Sequence, residues 1–349
     1  MKRSWSSLIT VSFLSGSVAL VGCGSPPSSD SCSMPSSGMN AKAVANTLVL
    51  PQTRSEDAFD IDGNGTADNQ LGNIVGALST MGGLNPQDSV NKAVAAGGVV
   101  LLIDENGADL TNNDCAGVTI SSGKTTTMAP KFDGTDTFTV DPAFTGGLFK
   151  GKFSGGTFTS NSPVTTTQPT TVTVQLPLVA GSDPVKLTVI GARIQFKRNG
   201  DGLMNGVING AIKNTDVQTD VIPSVAKLLS DNIAKDPTSS TNKQIASIFD
   251  TGGGDDGSGC KSTKVCGSAA AGSPTCKNPA APVGDGQCAD ACDTKIGVCE
   301  VQNNNIIKNV LSADVQMFDD AGNYKPNPAR TKKDSLSLGL SFTAVKASF

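Results

Sequence analysis

The chain has 349 residues and a formal net charge of -4, with 37% hydrophobic and 17% charged residues. It contains no histidine, one tryptophan and one tyrosine. This excludes Ser-His-Asp and Cys-His nucleophile systems and histidine-ligated metals, and it leaves few flat platforms for stacking sugars or bases. The mildly acidic balance offers no electrostatic footprint for nucleic acid.

In chain order, Lys2 and Arg3 open a short positive region, and Leu8 to Val21 form an apolar stretch interrupted only by Ser, Thr and Gly. That stretch is too short for a spanning helix and reads as a signal peptide. It ends in Leu20-Val21-Gly22-Cys23, which resembles the lipobox of bacterial lipoproteins. The resemblance implies cleavage before Cys23, diacylation of its sulfur and anchoring in a lipid bilayer. Gly24 in place of aspartate implies the outer membrane of the cell envelope. Residues 1–22 are thus expected to be a leader and the Ser/Pro/Gly-rich residues 23–41 a flexible tether. The main body is expected over 42–349.

Asn46 to Pro51 is an apolar run stopped by proline and predicts a strand. Next comes Asp60-Ile-Asp-Gly-Asn-Gly-Thr-Ala-Asp68-Asn69. Asp60, Asp62, Asn64 and Asp68 fit positions 1, 3, 5 and 9 of a calcium loop, and Thr66 offers its carbonyl at position 7. Calcium takes hard oxygen ligands, and Gly65 permits the turn that converges them. The segment resembles the EF-hand loop and the shorter calcium loops of extracellular repeat proteins. Leu71 stands where an EF-hand carries a bidentate glutamate, so the shorter loop is the better match. The expected ion is a structural calcium. The alternative is a solvated Asp/Asn/Gly turn.

Leu71, Ile74, Val75, Leu78 and Met81 recur at helical spacing, and Gln87 to Ala96 predicts a second helix. Val99 to Asp104 reads as a buried strand. Residues 132–212 read as β, and the clearest unit is a hairpin turning at Asn199 to Gly202. Asp220 to Ala234, Gln244 to Phe249 and Asn304 to Leu311 predict helices. Ser335 to Ala344 alternates Leu336, Leu338, Leu340 and Phe342 with small residues, the pattern of a half-buried antiparallel strand. The last residues resemble the closing strand of an outer-membrane barrel. Girdles of aromatic residues are absent, which favours a strand of a water-soluble body.

Nine cysteines are present. Lipidation of Cys23 leaves Cys32, Cys115, Cys260, Cys266, Cys276, Cys288, Cys292 and Cys299, an even set that reads as disulfides in an exported chain. Residues 252–299 hold six of them with little hydrophobic periodicity, and predict a disulfide-rich loop insertion. If those six pair among themselves, Cys32 and Cys115 remain for each other.

These readings give a β-dominated α+β fold: an antiparallel sheet or sandwich with a few packed helices. The segments D-x-D-G-x-G-x-x-D-N-x-L-G (Asp60 to Gly72) and S-L-S-L-G-x-x-F-T-A (Ser335 to Ala344) are similar to those of uncharacterised bacterial lipoproteins. That resemblance brings no activity with it. A membrane-anchored structural or interaction lipoprotein without catalytic residues is the expectation. The alternatives are an envelope carrier of lipids or other hydrophobic ligands, and a carboxylate-based hydrolase. Ser89 to Lys92 and Ser240 to Lys243 match S-x-x-K in letters only.

Overall fold

A computed structural model describes residues 38–80, 85–144, 146–162, 169–176, 185–250, 266–267, 275–276 and 295–349. The expected leader, the lipidation site Cys23 and nearly all of the tether lie outside them. So do Cys32, Cys260, Cys288, Cys292 and most of the expected insertion.

The body is one large antiparallel sheet with helices at one end. Its strands are β1 (Met39–Val49), β2 (Leu101–Gly107), β3 (Asn113–Ser122), β4 (Gly147–Ser154), β5 (Thr157–Ser160), β6 (Thr171–Leu176), β7 (Val185–Asn199), β8 (Gly202–Lys213) and, past two short strands, β11 (Ser335–Lys346). β1 begins at Met39, so the sheet takes in three residues expected in the tether. The strand order is β5-β4-β3-β2-β1-β11-β8-β7-β6. β5 also pairs with β7, which closes the sheet into a ring instead of stacking two sheets as a sandwich. The long β7 makes this possible. Its first half pairs with β6 and its second half with β5, while its other edge follows β8. The β7–β8 hairpin turns where Asn199 meets Gly202, with Gly200 at φ 59°, the left-handed conformation such a tight turn demands.

Apolar side chains point into the ring. Along β4, Phe149 and Phe153 are buried, whereas Leu148, Lys150 and Lys152 face outward. Phe153, Phe158, Phe196 and Phe342 form an interior ring cluster with centroids 5.1 to 6.5 Å apart between neighbours. The helices α1 (Gln70–Thr80), α2 (Pro86–Ala95), α4 (Ile222–Lys235) and α5 (Ser240–Phe249) add Leu71, Ile74, Val90, Val225, Leu229 and Phe249 to the same core. α4 is preceded by the short α3 (Asn214–Asp216) and a π-helical turn, Val217–Val221. Residues 123–144 form isolated bridges at Gly123↔Val140 and Thr137↔Ser348, so the expected run of strands starts only at β4.

Two short strands, β9 (Cys266–Gly267) and β10 (Thr275–Cys276), pair with Cys276 opposite Cys266 in backbone register. Cys115 and Cys299 each take part in a disulfide. Cys299 lies in α6 (Val298–Asn303), followed by α7 (Asn305–Val310).

The alternation of β11 has a different meaning from the expected one. Leu336, Leu338, Leu340 and Phe342 do face the core, but Ser335 and Ser337 on the opposite face are also buried. Residues 51–69 and 312–334 cover that outer face with a small core of their own, built on Ile61, Ala211, Val315 and Met317. The outward positions of β11 are therefore small to admit a covering loop. A Cβ on Gly339 would lie 2.0 Å from the carbonyl oxygen of Asp57.

Candidate metal centre

The acidic segment is part of this covering layer. Gly63 and Gly65 adopt φ 85° and 84°, and the turn folds back on Asp60. The Asp60 carboxylate accepts hydrogen bonds from the backbone N–H groups of Gly63 (2.7 Å), Asn64 (3.1 Å) and Gly65 (2.8 Å). Asn64 Oδ1 accepts from the Thr66 N–H at 2.7 Å. The Asp68 N–H then closes the loop on the Phe59 carbonyl at 2.9 Å.

This fold-back brings Asp60, Asp62 and Asp68 together. One carboxylate oxygen from each lies within 4.8 Å of the others. Asp62 and Asp68 are completely buried, and Asp60 is half-buried. Asn64 and Thr66, the other two expected ligands, are neighbours of the cluster whose hydrogen bonds serve the turn itself. Asp68 Oδ2 is buried without a hydrogen-bond partner.

The covering segment supplies a cation that the sequence reading missed. Arg330 donates from Nε to Asp62 Oδ2 and from Nη2 to Asp68 Oδ1, the latter at 2.6 Å. Arg54 bonds Asp314 at 2.8 Å and reaches Asp68 at 3.8 Å. Arg193 lies over the Phe59 ring and donates to the Asp60 carbonyl at 3.2 Å. Burial pulls the Arg330 guanidinium toward its neutral form, but the bonds and charges of Asp62 and Asp68 outweigh that and hold its pKa above the ordinary value. Nothing in the local sequence around Arg330 marks it as a partner of a loop so far away.

Two asparagines tie the loop to the ring. Asn209, in β8, donates to the Asp68 carbonyl at 2.9 Å. Asn69 donates to the Glu56 and Gly339 carbonyls at 2.7 and 3.2 Å and accepts from the Gly339 N–H at 2.9 Å. The Gln70 N–H, at the start of α1, donates to Ser337 Oγ at 2.8 Å. Asp68 therefore sits just before a helix N-terminus, where negative charge is favoured.

Burial raises the Asp68 pKa from 3.8 to about 6; the Arg330 contact opposes the rise, and the charges of Asp62 and Asp314 add to it. A carboxyl group raised in the folded state favours folding while it is protonated. That contribution is complete below about pH 4 and is lost as the pH climbs through about 6. Chelated protein is therefore expected to lose stability over this window. Asp68→Asn, neutral throughout, should show a flatter profile there. Urea midpoints across the window test this, and parallel profiles for the two proteins would contradict it.

The chain matches no known protein family, no curated protein and no solved structure.

Proposed function

We propose that the protein is an exported lipoprotein of structural or interaction type, anchored to the bilayer through Cys23, in which calcium clamps the 60–68 loop onto the ring. The ion has no chemical step to perform: it neutralises and ties. The charge balance at the loop carries this reading. Three carboxylates converge, Arg330 answers one negative charge, and the remaining two equal the charge of one divalent cation. The orphaned Asp68 Oδ2 is the oxygen most in need of such a partner, since an unpaired buried acceptor is costly. Asp60, Asp62 and Asp68 would hold the ion, with Asn64 and the Thr66 carbonyl at the positions expected from the loop pattern.

Calcium against chelator in thermal unfolding tests the reading. The missing position-12 carboxylate places the expected affinity on the order of 0.1 to 1 mM. At about tenfold saturation, linkage gives roughly 1.4 kcal/mol of stabilisation. Magnesium should do less, because it resists dehydration and demands a stricter octahedron. Asp60→Ala with Asp62→Ala should abolish the response. A wild-type midpoint indifferent to millimolar calcium would reduce the loop to a turn held by its own hydrogen bonds.

The carrier reading is weaker. An all-apolar cavity lies between the helices and the strand ends, lined by Leu71, Ile74, Leu187, Ile212, Val225 and Leu338, and its volume is about 40 Å³. Dry cavities of about 150 Å³ hold a benzene ring; this one is far smaller than an acyl chain. A larger open groove of about 430 Å³ beside Asn46, Asn91 and Phe132 is of mixed polarity.

A further inference from the structure

We infer that Arg330 is a tethered internal cation that competes with calcium for Asp62 and Asp68 and so sets the ion affinity of the loop. This inference rests on the calcium reading and adds a regulator to the same site.

Four observations carry it. Arg330 takes one oxygen from each of two carboxylates, and both are fully buried. Its own side chain is only 17% exposed, so the contact is largely shielded from solvent. It is the sole cation that reaches both acids among the described residues, because Arg54 is committed to Asp314 and reaches only Asp68. Finally, its backbone lies in the left-handed region at φ 47°, a conformation that side chains other than glycine seldom adopt. Strain of this kind persists only where surrounding contacts impose it. A turn hydrogen bond from the Arg330 N–H to the Asn327 carbonyl, at 3.1 Å, holds that backbone, and the two ion pairs hold the side chain it presents.

The consequence is an exchange of counter-ions. With Arg330 in place, the three-aspartate cluster holds two net negative charges; without it, three. Calcium entering the cluster meets a guanidinium already bonded to two of its ligands. Any oxygen drawn fully onto the ion weakens the Arg330 fork. The arginine thus keeps the loop folded when calcium is scarce, at the expense of affinity when it is present. A bidentate planar fork does this better than a point charge, so lysine is not an equivalent.

Isothermal titration with calcium chloride, paired with thermal unfolding in chelator, tests the inference on the full chain in wild type, Arg330→Met and Arg330→Lys. Competition predicts opposite movements in Arg330→Met: calcium binds at least about tenfold tighter, while the chelated protein unfolds at a lower temperature. Arg330→Lys should fall between wild type and Arg330→Met in affinity, and it keeps the comparison available if the methionine variant does not fold without calcium. An arginine that merely shapes the loop would lower both quantities, so unchanged or weaker binding in both variants, with wild type still binding, overturns the inference alone. Binding seen only after Arg330 is replaced would show that the arginine excludes calcium from the natural loop, and it overturns the calcium reading. No binding by any of the three overturns the calcium reading and this inference together.

Discussion

Replacing Arg198 with methionine is expected to cost about 3–5 kcal/mol of stability at neutral pH, and distinctly less in mild acid. Glu105 is 1% exposed and faces into the ring from β2, and Arg198 Nη1 reaches its Oε2 from β7 at 2.6 Å. Burial raises the Glu105 pKa; the hydrogen bond and charge of Arg198 counter much of that, and Asp104 adds slightly to it. A raised carboxyl favours folding while protonated, so its contribution is full below the unfolded glutamate range and is lost as the pH rises through the folded value. Removing Arg198 strips away the hydrogen bond and charge that hold the Glu105 pKa down, so it climbs further. Near pH 7 the variant must either bury an unpaired carboxylate or take up a proton at a cost. Near pH 4.5, in the ordinary range of a free glutamate, protonation costs little and the deficit shrinks. Urea unfolding at the two pH values reads the difference, and an equal cost at both would show that Arg198 contributes by packing alone. Glu105→Met combined with Arg198→Met should recover most of the loss, because replacing both members of a buried pair leaves no orphan charge.

The sequence was most informative where local chemistry decides the structure. Asn199 to Gly202 carries its turn in its own residue types, and the spacing of Leu71, Ile74 and Val75 marks α1 within a residue of its true start. The leucines of β11 fall on the core face as their alternation requires. What stayed hidden depends on contacts between distant segments. β5, Thr157 to Ser160, closes the ring with four residues that resemble any Thr/Ser loop. Ser335 and Ser337 look like solvent positions, yet Ser337 donates to Asp314 and accepts from Gln70 beneath a covering loop. Periodicity reports that one face of a strand is apolar; it does not report what lies over the other. The acidic loop shows both sides of this. Its three aspartates are grouped as the spacing implied, but the cation beside two of them, Arg330, comes from 268 residues away in one contact and 262 in the other.

Asn69 offers the most direct way to separate the loop from the ring that holds it, and Asn69→Leu is expected to cost about 4 kcal/mol. The side chain is fully buried, and its carboxamide serves both ends of a junction. Nδ2 donates to Glu56 and Gly339, and Oδ1 accepts from the Gly339 N–H. Leucine keeps the branching of asparagine and is bulkier, so it fills the site and shuts out water. Three backbone groups then lose their partner, at about 1–3 kcal/mol each where no relaxation intervenes. Gly339 has little room to relax, because it lies directly against the Asp57 carbonyl. Asn69→Ala should cost less, since the space it opens is lined by polar groups and admits a water molecule that restores some of the bonds. This order, leucine worse than alanine at a buried site, is the reverse of what a hydrophobic contact would give. In the leucine variant the calcium response should weaken as well, because Asp68 immediately precedes the junction and loses its fixed position. Denaturant unfolding of the two variants decides the matter. If leucine proves the milder substitution, the loop is held by the apolar patch around Ile61 and Met317, and the hydrogen bonds of Asn69 are incidental to it.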